Sequence, residues 1–160
     1  VYVSWYDANE YCRWLSEKTG KKYSLPSEAQ WEGAAKGPNS FIFPWGNEWN
    51  PDAANCKVSG QGRTTAVGTY SSAGDSFDGV SDMAGNVWEW CSDYYSNQTY
   101  QNREKKMTRD PLGPSHGSYR VLKGGAFNYN GGRLRCATRT GNDPGLKDVN
   151  DGFRVALQLS

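Results

Sequence analysis

Asp82-Met83-Ala84-Gly85-Asn86-Val87-Trp88-Glu89-Trp90 lies at the middle of the chain, and its reading decides the fold. A glycine turn leads into a strand candidate, Asn86 to Cys91. Two carboxylates, Asp82 and Glu89, flank Gly85-Asn86-Val87. On their own they read as acids that pair with buried donors while Trp88 and Trp90 pack the core. On the N-terminal side the sequence predicts two helices. Ser4 with Asp7 is a variant capping box, after which Ala8, Tyr11, Cys12 and Leu15 recur at helical spacing and Gly20 supplies the stop. Ser27 and Gln30 form a second box behind Pro26, and Gly37 ends that run.

Between Gly37 and the quoted stretch the helical period disappears. Residues 38 to 80 are rich in Gly, Pro, Asn, Ser and Asp, with Phe41, Phe43, Trp45 and Trp49 as the side chains able to pin such a loop to a core. On the C-terminal side, further strands are expected at Tyr119 to Lys123, Leu134 to Thr138 and Phe153 to Leu157, with residues 96 to 118 as a polar surface loop. There is no internal repeat and no linker, so residues 1–160 read as a single domain. Its expected class is α+β: two helices, a small antiparallel sheet and long ordered loops.

Composition agrees. Only 36% of residues are apolar, but 14% are Phe, Trp or Tyr, which bury large areas each. Nineteen glycines and seven prolines imply many turns. A net charge of +1 gives no global field for nucleic acid or an anionic membrane, and no stretch approaches the roughly 18 apolar residues that would insert into a bilayer. Cys12, Cys56, Cys91 and Cys136 form no metal-ligand spacing and read best as buried free thiols; His116 has no Cys or His neighbour.

Seven motifs in order carry a resemblance. They are Val3-Ser4-Trp5-Tyr6-Asp7-Ala8, Tyr23 to Glu32, Phe43-Pro44-Trp45-Gly46, the Asp82–Trp90 stretch, Val121 to Gly125, Arg135-Cys136-Ala137 and Gly152-Phe153-Arg154-Val155. Together they resemble the formylglycine-generating enzyme (sulfatase-modifying factor) family across nearly the whole chain. The resemblance implies a C-type-lectin-like fold. It also implies a question about chemistry, because the family's oxidase holds copper through two thiolates shortly after its Gly-Gly segment. Soft sulfur ligands are what stabilise Cu(I). Here that segment runs Gly124-Gly125-Ala126-Phe127-Asn128-Tyr129-Asn130-Gly131-Gly132-Arg133-Leu134 and contains no cysteine. The expectation is a protein that is not an enzyme and has no catalytic cofactor.

The C-terminal third resembles the variable proteins of diversity-generating retroelements, a subset of this fold. In those proteins adenine-directed mutagenesis rewrites a segment dense in Asn-type codons. Randomised adenines in such a codon cannot yield Glu, Gln, Lys, Met or Trp. Those types make up 30 of 160 residues, yet Lys147 alone occurs in the 26 residues from Ala126 to Asp151. The expected function is therefore a non-catalytic, receptor-like binding surface within residues 126–151. The residues expected to present it are Phe127, Tyr129, Gly132, Arg133, Thr138, Thr140, Asn142, Asp143, Leu146, Asp148, Val149, Asn150 and Asp151, with Tyr129, Arg133 and Leu146 as anchors. Leu134, Cys136, Phe153 and Val155 are expected on core strands. The expected partner is an unidentified protein or surface ligand, met at the cell surface or outside the cell. For the quoted stretch the resemblance implies structural Ca²⁺, held by the side chains of Asp82 and Glu89 and the carbonyls of Gly85 and Val87.

Overall fold

In the computed structural model, residues 1–101 and 111–158 are described, so part of the expected loop 96–118 lies outside the described residues. Helix α1 spans Trp5–Thr19 and α2 spans Glu28–Lys36. Both begin with the expected reciprocal boxes, Ser4 with Asp7 and Ser27 with Gln30, and both stop at glycine. A third helical turn, α3 (Ser71–Gly74), and a 3-10 turn at Pro51–Ala53 interrupt the long loop. None of these helices is long and apolar enough to cross a membrane.

The sheet is built on the quoted stretch. Strand β2 (Trp88–Tyr94) pairs antiparallel with β3 (Arg120–Lys123), which pairs antiparallel with β4 (Arg139–Asn142). On its other edge β2 takes β5 (Asp151–Gly152) in parallel, Trp88 opposite Asp151. A separate two-stranded sheet joins β1 (Tyr23–Ser24) to β6 (Ala156–Leu157). The expected all-antiparallel sheet is thus corrected at one edge.

Alternation along β2 sets the two layers. Trp88 and Trp90 join Ala8 and Cys12 of α1, with Leu122, in one cluster. Cys91 joins Trp31 and Ala35 of α2, with Val121, in another, and Cys136 is buried there too. The aromatic loop is pinned as expected. Phe43, Trp45 and Trp49 pack on one another with centroids 5.3–6.0 Å apart, and the two tryptophans cover Ala54, Cys56, Ala84 and Leu134.

Two expected strands fall elsewhere. Leu134 and Cys136 are fully buried as expected, but residues 131–137 form a 3-10 turn and tight turns, and strand geometry starts at Arg139. The segment Phe153–Leu157 is no continuous strand: Phe153 is half-buried beside the first cluster, Val155 is 37% exposed, and strand residues flank them on either side. All four cysteines are buried and free.

Candidate functional site

The chain leaves β3 through Gly124-Gly125 and is tied down at once. The Phe127 amide donates to the Asn86 carbonyl, and the Tyr129 carbonyl accepts from the Lys57 amide. The Tyr129 ring lies edge-on to Trp88 at 5.6 Å and touches two core clusters. Gly131 then passes so close to Trp49 that a Cβ would sit 2.7 Å from the indole, whereas one at Gly132 would meet nothing within 4 Å. From there burial alternates: Arg133 out, Leu134 in, Arg135 out, Cys136 in, Ala137 out. Instead of joining a ladder, the Cys136 amide donates to Ile42 O at 2.8 Å. The result is an open cleft of about 520 Å³ lined by Asn130, Gly132, Arg133, Arg135, Ala137, Thr138 and Arg139.

One wall is rigid. Arg139 clamps buried Glu28 through two hydrogen bonds, Nε to Oε1 at 2.5 Å and Nη2 to Oε2 at 2.8 Å, and donates to Ser96 O under the rings of Tyr95 and Tyr100. Thr140 and Asn142 follow on β4, half-buried opposite Leu122 and Arg120. A Cβ at Gly141 would fall 2.4 Å from the Tyr95 ring, so this strand admits no side chain there.

The next loop leans on α1. Pro144 O accepts from the Trp5 amide, Asp148 O from the Tyr2 amide, and Lys147 pairs with Asp7 at 2.8 Å. That contact and the Ser4 cap hold the Asp7 carboxyl down at about 2. Asp143 accepts from the Gly145 amide, while Leu146 and Val149 stand 40% and 42% exposed.

Four expected binding positions are corrected. Phe127 is 8% exposed and forms the inner wall of a second cleft, of about 380 Å³, with Lys57, Gly60, Gly62 and Asn128. Tyr129 is half-buried on the core and is no exposed anchor. Asn150 and Asp151 are 8% and 2% exposed because β5 must enter the sheet beside β2. Gly132, Arg133, Thr138, Asp143, Leu146, Asp148 and Val149 remain on or near the surface, the first three in the cleft and the others in the loop beside α1. The Asn150 side chain, donating to Asn128 Oδ1, links the two segments. Asn130, Arg135 and Ala137 belong to the cleft and were missed; the in–out alternation around Leu134 and Cys136 was the available signal.

Asp151 carries an energetic consequence. Its Oδ2 is buried without a partner, and burial, then the charge of Asp148, raises the carboxyl to about 6 from 3.8. An acid raised on folding binds its proton more tightly in the native state. The contribution of this carboxyl to stability is therefore most favourable below pH 4 and is lost as pH rises through 6, a change of up to about 3 kcal/mol. Asp151→Asn is expected to raise the urea midpoint at pH 7.5 and leave it nearly unchanged at pH 4. Equal shifts at both pH values would contradict this.

The implied calcium ligands do not fit an ion here. Glu89 is 5% exposed, and both of its oxygens face the Arg154 guanidinium, Oε1 at 2.7 Å, while Oε2 also accepts from Trp31 Nε1 at 2.6 Å. Arg154 also donates to Ser81 O and Asp82 O, and Asp82 Oδ2 accepts from the Gly68 amide. A positive group already lies on the carboxylate, and a divalent ion beside it would meet like charge. Gly85 instead provides close packing, and the Val87 side chain abuts Gly152. Among the described residues, no three His, Cys, Asp or Glu gather to hold a metal. Burial pushes the Cys136 thiol up to about 12 and Cys91 well above its ordinary value.

The family described as sulfatase-modifying factor enzyme 1-like domain matches residues 1–159. The serine/threonine-protein kinase Pkn1 of Chlamydia trachomatis is 42% identical over 99% of this chain, which spans 24% of that protein. The formylglycine-generating enzyme of Thermomonospora curvata is 36% identical over 98% of this chain, which spans 54% of it. Among solved structures, Treponema denticola variable protein 1 superposes with a TM-score of 0.84 at 26% identity, covering 96% of this chain and 69% of that one. The chain thus spans between a quarter and about half the length of these two curated relatives.

Proposed function

From a chain that belongs to the sulfatase-modifying factor enzyme 1-like family, we propose a domain without that family's oxidase activity, serving as the variable, ligand-binding protein of a diversity-generating retroelement. The reading rests on one observation. Exposed Gly132 and Arg133 and half-buried Thr138 line a cleft between residues that cannot change, namely Gly131 against Trp49, buried Leu134 and Cys136, and Gly141 against Tyr95. Substitutions on such a surface are nearly neutral for stability, and those beneath it are not. The depletion of Glu, Gln, Met and Trp from residues 126–151 and the likeness to a variable protein support it. The bound partner is a protein or surface ligand presented outside the cell.

Sibling copies of the gene provide the test. Substitutions are expected at Gly132, Arg133, Thr138, Leu146, Asp148 and Val149, with Gly131, Leu134, Cys136, Gly141, Asn150 and Asp151 retained. Variation spread evenly along the chain would defeat the proposal. Copper titration with a thiol-peptide oxidation assay is expected to show no turnover.

A second reading is a binding domain of fixed specificity within a longer polypeptide. The 42% identity to a kinase of which the chain spans 24% favours it. It predicts no diversified siblings and the same non-catalytic cleft.

A further inference from the structure

The cleft at residues 130–139 has a chemical bias. Its lining carries three guanidinium groups and no carboxylate. Arg139 is already neutralised by Glu28. Arg133 and Arg135 have no ion pair among the described residues, and Arg135 spends only Nε, on the Gly132 carbonyl at 3.2 Å. Both project from one short turn whose alternate residues, Leu134 and Cys136, are fully buried. Gly131 against Trp49 and the Cys136 amide on Ile42 hold that turn in place. The remaining lining side chains with polar atoms, Asn130 and Thr138, are neutral.

We propose that this cleft binds the carboxylate side chains of an acidic peptide segment, with Arg133 and Arg135 as paired forks. The proposal rests on the binding role assigned above to the 126–151 surface and names its ligand chemistry. Guanidinium groups recognise planar oxyanions through two parallel hydrogen bonds, and a fork held in advance loses less entropy on binding. The cleft volume of about 520 Å³ suits a few side chains. A long polyanion such as a sulfated glycan or a nucleic acid calls instead for an extended basic stripe. The chain's net charge of +1 favours the peptide.

Calorimetric titration of the intact domain tests this with hexaglutamate blocked at both ends, against blocked hexaglutamine and a heparin-derived hexasaccharide. Hexaglutamate is expected to bind saturably, at least tenfold tighter than either comparison compound, and to weaken as salt is raised. Arg133→Gln and Arg135→Gln are each expected to weaken it about tenfold, with thermal midpoints unchanged because both side chains are exposed. The double variant is expected to abolish binding. Equal binding of the Glu and Gln peptides, no saturation by about 10 mM, or a preference for the hexasaccharide would overturn the proposal. Its failure is separable from failure of the variable-protein reading, which the sibling sequences decide without any titration.

Discussion

Alanine at position 85 is expected to remove a large share of the domain's stability. Gly85 has φ +77°, and a Cβ there would lie 2.2 Å from the carbonyl oxygen of Asn55 and 3.3 Å from Leu134 Cδ2. The left-handed conformation alone costs about 1 kcal/mol for a residue with a Cβ. The clash is worse, because the obstacle is backbone and no rotamer change relieves it. Asn55 O also accepts from the Asn86 amide at 2.9 Å. Asn55 Nδ2 is bonded to Arg63 O, Thr65 Oγ1 and Asn86 Oδ1, so moving Asn55 disturbs the anchor of the whole loop. The combined loss should exceed about 4 kcal/mol, a large share of the roughly 5–15 kcal/mol that hold a domain together. Urea denaturation monitored by tryptophan fluorescence measures it. Gly132→Ala is the comparison, expected within about 0.5 kcal/mol of the parent because nothing surrounds that position. A Gly85→Ala protein with an unchanged midpoint would mean that the approach of residue 55 to residue 85 is misplaced.

The contrast between those two glycines shows what the sequence could and could not reveal. Helices α1 and α2 were legible because their signals are local: a reciprocal cap, an apolar period, a terminal glycine. The pairing of Leu134 and Cys136 as interior residues was also legible, but not their backbone. An in–out period of two reads as a strand, yet here Gly131 is trapped against Trp49 and the Cys136 amide is taken by Ile42, so turns produce the same alternation. Strand geometry begins only where Arg139 reaches Glu28, a contact 111 residues apart that no window contains. Asn150 and Asp151 looked like loop residues for the same reason. Their burial follows from parallel pairing with Trp88, a long-range event that leaves polar residues inside and Asp151 Oδ2 without a partner. Arg135 escaped notice because it was read as part of a family motif, whereas its neighbours Leu134 and Cys136 do the burying and it points outward.

Arg154→Met is expected to cost about 3–5 kcal/mol, because it strands a buried carboxylate. In the parent, Glu89 is compensated from two sides, by the guanidinium across both oxygens and by the Trp31 indole on one. Methionine retains much of the side-chain volume and none of the charge, leaving Glu89 with the indole alone. The loss reaches further, since Arg154 also ties the carbonyls of Ser81 and Asp82 to the C-terminal segment. Glu89→Gln combined with Arg154→Met should recover about half of the deficit: the amide oxygen still accepts from Trp31, and no uncompensated charge remains. A double variant no better than Arg154→Met would assign the cost to the Ser81 and Asp82 contacts and not to the ion pair. The same site decides the calcium question. With a guanidinium already on Glu89, millimolar Ca²⁺ is expected to shift the parent's thermal midpoint by less than about 1 °C, since a ligand stabilises only by binding the folded state. A rise on adding Ca²⁺ that Glu89→Gln removes would show that Arg154 yields to the ion, and the guanidinium would then be a stand-in for a cation that the carboxylate prefers.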